Sequence, residues 1–239
     1  MKARPSKHNL RAFTLIELLV IIAIVAIACF LIPALVKAPR RYSRINCTNN
    51  LKQVALAFKV WAIDNADMFP MAISTNGIVT NHPASFTPPI PAHSETNGPG
   101  SKELIPSGLA YVHFQLLSNE LSTPKILVCP NDKSKTVATN FAVQFNEKNV
   151  SYFVGTDAQD IYPQMFLSGD RHLAFNGKAI SPGLFVLTTN NPPLSWTKAN
   201  HDMSGNIGLA DGSVQTISSS MLSPLASSQG FATNRLAIP

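Results

Sequence analysis

Between Phe13 and Val36 the chain carries one charged side chain, Glu17, and Arg11 and Lys37 stand as charged fences on either side. A run of that length and purity is a membrane-spanning helix candidate. A carboxylate inside such a helix is costly, so its position is a functional-site hypothesis by default. Here it lies one turn from the start of the run, which narrows what it can be for.

The net charge of +6 suggests a basic protein, but its distribution says otherwise. Lys2, Arg4, Lys7 and Arg11 precede the apolar run, and Lys37, Arg40, Arg41 and Arg44 follow it. From Ile45 onward 11 basic residues face 12 acidic ones. The charge flanks the helix and is not spread over a surface, so no nucleic-acid partner is expected. The chain is long enough for one membrane segment and one modest domain with a real core. Its 18 prolines, with many Asn, Ser and Thr, point to a loop-rich, β-containing head.

A short basic segment before an apolar one suggests a secretory signal peptide, but no small-x-small cleavage site follows the run. A plain signal anchor fits the length and leaves Glu17 unexplained. A third reading uses every feature. Ala12-Phe13-Thr14-Leu15-Ile16-Glu17-Leu18-Leu19-Val20 resembles the class III signal of prepilins, the precursors of type IV pilins and type II secretion pseudopilins. The resemblance implies cleavage by a prepilin peptidase between Ala12 and Phe13 and methylation of the new amine. The family usually has Gly where this chain has Ala12. Glu17 then becomes the fifth residue of the mature chain. It is expected to pair, in a filament, with the buried amine of a neighbouring subunit's Phe13 and so set the assembly register.

The resemblance continues along the chain. Pro33 interrupts the apolar helix at a depth where pilin helices often carry proline, so a kink is expected there. From Arg40 to Asp64, Leu51, Val54, Ala55, Phe58, Trp61 and Ala62 recur at spacings of three and four, one apolar face of an amphipathic helix. The stretches Cys47–Gln53 and Asp64–Pro70 look like their counterparts in pilin-like proteins of planctomycetes and verrucomicrobia. Four segments are expected: a basic leader (1–12), a transmembrane and assembly half-helix (13–36), an amphipathic half-helix (37–64) and a β-sheet head (65–239).

Within the head, residues 70–108 read as an extended surface loop with a short strand at Gly77–Thr80, and Tyr111–Leu121 as a short helix. Lys125–Cys129, Val150–Val154, Gln164–Ser168 and Leu184–Thr189 read as strands. The clearest unit is Asn206–Ile217, where Asp211-Gly212 supplies the positive φ angles of a hairpin turn. Asp157, Asp160, Asp170 and Arg171 read as a solvated face or turns at strand ends, and Trp61 and Trp196 as packing residues. Cys29 behaves as a small hydrophobe in the apolar run. Cys47 and Cys129 are a candidate disulfide or two free thiols, which geometry alone decides.

His201 is followed after nine residues by Asp211-Gly212, a spacing that resembles a C-terminal signature of pilin-like proteins. Two readings stand. Asp202, Asp211 and nearby carbonyls form a calcium site, as in some secretion pseudopilins; or Asp211 and Gly212 make the turn while His201 bonds a strand edge. Two carboxylates are few for calcium, so the second is preferred and no cofactor is assigned. No His-Glu-x-x-His, Gly-x-Ser-x-Gly or phosphate loop occurs, and no enzyme is expected.

The expected architecture is α+β and pilin-like: a long N-terminal helix, its first half membrane-embedded, packed against an antiparallel sheet head. The resemblance implies a structural subunit of a type II secretion pseudopilus, with a type IV pilus subunit as alternative. A membrane-anchored binding or enzymatic domain is the rival from another class. The partners implied are the prepilin peptidase, other pilin-like subunits in homo- or hetero-filaments, and an inner-membrane assembly platform. The chain would first cross the inner membrane once, N-terminus cytoplasmic and head periplasmic, and then enter a periplasmic or surface filament.

Overall fold

A computed structural model describes residues 14–76, 99–142, 144–188, 190 and 193–239, without the side chains of 31–42. The chain divides into two units, one ending at Tyr42 and the other starting at Ser43. Helix α1 (Leu15–Ile63) contributes to both.

The first unit is helical from Leu15, and its helix continues through Pro33 and Pro39. The kink expected at Pro33 falls outside the residues whose side chains are described. Thr14 and Glu17 start the helix as a capping box. The Glu17 carboxylate accepts from the Thr14 amide at 2.9 Å and from its hydroxyl at 2.8 Å, while the Thr14 hydroxyl lies 3.3 Å from the Glu17 amide. Beyond this cap the surface is apolar and uncovered, from Leu15 at 81 % exposure to Phe30 at 85 %. Among the described residues no helix is long and apolar enough to cross a membrane. The described side chains of the apolar run stop at Phe30, short of the span expected from 13 to 36.

In the second unit α1 behaves as a one-sided helix. Leu51, Val54, Ala55, Phe58, Trp61 and Ala62 are all buried, as their spacing demands. Phe58 packs edge-on against Phe69 and Phe114, each with ring centroids 6.1 Å away. The helix stops because Ala66 and Asp67 take left-handed backbone angles while the Asn65 side-chain Nδ2 donates to the Trp61 carbonyl at 2.8 Å.

Among the described residues nine strands follow: β1 (Tyr152–Gly155), β2 (Phe166–Asp170), β3 (Leu173–Phe175), β4 (Lys178–Ala179), β5 (Gly183–Thr188), β6 (Leu194–Trp196), β7 (Ser204–Leu209), β8 (Val214–Ser218) and β9 (Thr233–Ile238). Six form an antiparallel sheet in the order β5-β9-β1-β2-β7-β8, and β4-β3-β6 form a smaller one. The middle strands of the large sheet, β9, β1, β2 and β7, are covered on both faces, and the edge strands β5 and β8 are partly exposed. Side chains alternate across a strand, so Tyr152 and Val154 of β1 join the core that includes α1, while Phe153 joins another. That second core holds Phe166, Leu209, Leu236 and Trp196, with Leu222 and Ala226 of helix α4 (Ser219–Ser227). Gly205 of β7 is required there, since a Cβ at that position would lie 2.7 Å from the Trp196 ring.

Four expectations change. Lys125–Cys129 is not a strand: Thr123 caps and Pro124 opens a 3₁₀ turn, Pro124–Leu127, because proline suits a first helical position and cannot donate to a ladder. Tyr111–Leu121 divides into α2 (Ala110–Leu116) and α3 (Ser118–Leu121). The ends of the 70–108 segment are not surface loop, since Pro70–Ala72 and Lys102–Ser107 are 3₁₀ turns that bury Met71 and Ile105. The strand expected at Gly77–Thr80 falls outside the described residues. The 206–217 hairpin forms as β7–β8, but with a different turn. Only Gly212 has a positive φ, +87°. The Gly212 amide donates to the Leu209 carbonyl, and the Leu209 amide to Ser213, the pattern of a three-residue loop closed by a left-handed glycine.

Candidate functional site

Two places carry the residues singled out by sequence, and they are built differently. In the first unit, Ala12 and Phe13, the expected cleavage pair, fall outside the described residues. Glu17 is described, and its carboxylate is held by Thr14 in its own chain. That Thr-x-x-Glu pattern was readable in the sequence as a capping signal, and it adds a local partner to the residue expected to bind an amine.

The second place is inside the head. Cys47 of α1 and Cys129, just after the Pro124–Leu127 turn, are joined as a disulfide with Cα atoms 5.2 Å apart. Both are fully buried. The bond closes a loop of 82 residues, and the chain-entropy argument gives a stabilisation of about 4.5 kcal/mol. It ties α1 to the segment that leads into the sheet.

His201 lies against this disulfide. Its Nε2 is 3.5 Å from Cys129 Sγ and 3.7 Å from Asp170 Oδ2. A tight loop forces the ring inward: Asn200, Asp202 and Met203 all have φ between 53° and 61°, a region that costs energy for residues other than glycine. Three contacts hold the loop. Arg44 Nη2 donates to the His201 carbonyl at 2.9 Å, Ser204 Oγ donates to the same carbonyl at 2.6 Å, and Asn131 Nδ2 donates to Asn200 at 3.1 Å.

Asp170 corrects the expectation of a solvated strand end, for it is 2 % exposed at the end of β2. The inward turn of β2 at this position is satisfied from β7: Asp170 Oδ2 accepts from the Asn206 amide at 2.7 Å and from Asn206 Nδ2 at 2.9 Å. Asn206 Oδ1 in turn accepts from Thr48 at 2.9 Å and Thr216 at 2.7 Å, so α1, β2, β7 and β8 share one polar knot. Sequence could not reveal this, since the partners lie 36 and 158 residues apart. Arg171, the next residue, points the other way and clamps Asp132 through Nε at 2.7 Å and Nη2 at 3.1 Å. Asp157 pairs with Arg235, and Asp160 with Lys59, so these two form specific ties.

Burial governs the charges. It pushes the Asp170 carboxyl up to about 7, against the hydrogen bonds from Asn206, and the nearby Asp132 charge adds to the rise. Burial pushes His201 down to about 4, helped by the positive charges of Arg44 and His172. The His201–Asp170 contact is therefore not an ion pair near neutral pH, and its length is beyond a hydrogen bond. Burial alone would raise Asp132 too, but hydrogen bonds from His172, Arg171 and Ser134 hold it well below the usual carboxylate range.

The spacing His201…Asp211-Gly212 does not mark one site. His201 is in the buried knot, whereas Asp211 is exposed at the hairpin, where its Oδ1 accepts from the Ser213 amide at 2.8 Å. Asp202 is exposed as well. Gly212 sets the turn, and a Cβ there would meet Lys59 of α1 at 3.4 Å. Trp61 and Trp196 are both buried in cores.

Residues 7–32 match the prokaryotic N-terminal methylation motif, which spans the end of the basic leader, Ala12, Phe13, Glu17 and most of the apolar run. The chain thus carries a type IV pilin-like prepilin signal. No curated protein and no solved structure matches the chain.

Proposed function

We propose that this protein is a structural subunit of a type II secretion pseudopilus. A prepilin peptidase cuts it between Ala12 and Phe13, and its apolar half-helix resides in the inner membrane before assembly. The methylation motif over residues 7–32 carries the reading of a pilin-like subunit. The uncovered apolar surface from Leu15 to Phe30 supports it, because such a surface needs lipid or other subunits around it. In the filament Glu17 exchanges its Thr14 partners for the methylated amine of a neighbouring Phe13. Pro33 lets the helix bend to fit its neighbours.

The choice of pseudopilus over pilus rests on the end of the head. Many type IV pilins close their C-terminal region with nearby cysteines. Here β9 is held by pairing with β5 and β1, and the disulfide joins Cys47 and Cys129. Mass spectrometry of the mature N-terminus tests the family reading: N-methylphenylalanine at Phe13 is expected, and an intact Met1 would overturn it. Deleting the gene tests the finer reading. Loss of exoprotein secretion with surface pili intact is expected; loss of surface pili with secretion intact would instead make this a pilus subunit.

A further inference from the structure

The contact between His201 and the disulfide is not used by filament assembly. Cys47 Sγ, Cys129 Sγ and a ring nitrogen of His201 all lie within 4.8 Å of one another, and all three residues are buried. Asp170 Oδ2 is 3.7 Å from His201 Nε2, and Cys129 Sγ is 3.5 Å from that nitrogen. In a tetrahedral zinc site, ligand bonds of about 2.0–2.3 Å put neighbouring donors roughly 3.3–3.8 Å apart. Both of these separations fall in that range; Asp170 lies outside the 4.8 Å group formed by the other three, so its carboxylate has to move toward the sulfurs as they part.

We propose that the head has a second, metal-held state: with the disulfide reduced, Cys47, Cys129, His201 and Asp170 bind one zinc-class divalent cation. Opening the bond consumes two electrons and two protons from a dithiol reductant, which leaves as its own disulfide, and yields two thiols. Metal binding then releases both thiol protons as the sulfurs part and coordinate. Cys₂His with one carboxylate is a donor set of the kind zinc takes, and thiolates favour it over calcium or magnesium.

The surroundings suit a cation. Asp170 Oδ2 is fixed by the Asn206 amide and side chain, the type of outer contact that orients a ligand. The other Asp170 oxygen is buried with no hydrogen-bond partner. Two thiolates and one carboxylate around a divalent ion leave one negative charge, and Arg44, bonded to the His201 carbonyl at 2.9 Å, carries the compensating positive one. The four ligands come from α1, the turn after Leu127, β2 and the loop before β7. A bound ion therefore ties the elements that the disulfide ties, and two more besides.

Cobalt(II) is the probe, because it reports thiolate ligation in its spectrum. The full-length chain is prepared in detergent from a reducing cytoplasm and kept reduced with a phosphine. One cobalt per chain is expected, with a thiolate-to-cobalt charge-transfer band that zinc abolishes by displacement. The oxidised chain is expected to show neither. His201→Ala should weaken binding by about tenfold or more, while its oxidised form, checked by circular dichroism, keeps the fold. The proposal is overturned if the folded, reduced chain has three titratable thiols, Cys29 among them, and no charge-transfer band. It is overturned equally if the reduced chain is unfolded and cobalt does not restore it, or if His201→Ala binds with unchanged affinity.

Discussion

The two halves of α1 are made of similar residues and meet opposite fates. Leu51 and Phe58 are fully buried by the head, whereas Leu15 and Phe30 leave more than four-fifths of their surface uncovered. The difference is one of pattern. From Leu51 to Ala62 most apolar residues keep to one face, with Leu56 and Val60 left exposed outside it and Lys52, Gln53 and Lys59 filling much of the rest, so the head can cover that face. From Leu15 to Phe30 apolar residues surround the axis, and no single partner in the same chain can. The first half is specified for an environment, the second for a neighbour.

That contrast fails or survives on measurement. The largest effect is expected from Glu17→Ala, which should abolish filaments in electron micrographs while the head melts at an unchanged temperature; a lowered melting point would show the halves to be coupled. Next, Cys129→Ser should cost the head about 4.5 kcal/mol in urea unfolding under metal-free conditions. Phe58→Ala should cost about 4 kcal/mol by opening a cavity between Phe69 and Phe114. Phe30→Ala should leave head unfolding unmoved, and any loss there would break the comparison.

A pH effect is expected in the head. His113 is buried on α2 with its Nδ1 2.8 Å from Ser101 Oγ, and burial lowers its pKa to about 4. The unfolded chain takes a proton near 6.5 that the folded head refuses, so this stability is present above 6.5 and is lost as pH falls towards 4. Between pH 7 and pH 5 the loss is about 2 kcal/mol. His201 adds a loss of the same sign and Asp170 one of the opposite sign. His113→Gln is therefore compared with the parent chain: it should lose about 2 kcal/mol less between pH 7 and pH 5, and an equal loss in both would remove His113 as a source. The smallest effect is expected for Lys59→Ala. Its partly exposed pair with Asp160 should be worth less than about 1 kcal/mol in a double-mutant cycle.

What sequence made legible was periodic or local. The buried stripe of α1 follows from spacing, the β7–β8 hairpin from Asp211-Gly212, and the methylation motif from the residues around Phe13. Thr14 as a cap partner of Glu17 was equally legible from its spacing. Other features depend on distant partners. Asp170 reads as a surface charge until Asn206 arrives from another strand. β9 has no clean alternation because both faces of the sheet are covered, so Leu236, Ala237 and Ile238 are all buried. Nothing local announces that His201 meets a sulfur from residue 129.

The position of β9 bears on the order in which the head can form. β1 and β5 do not pair with each other; both bond to β9, which begins at Thr233. A chain emerging from a ribosome or a translocon can build the β1–β2 and β7–β8 pairs as they appear. It cannot seat β5 in the large sheet until residues 233–238 have been delivered. From the end of β5 at Thr188 until β9 is complete at Ile238 the protein therefore offers two strand edges awaiting the same late segment, open to pairing with other chains in that interval.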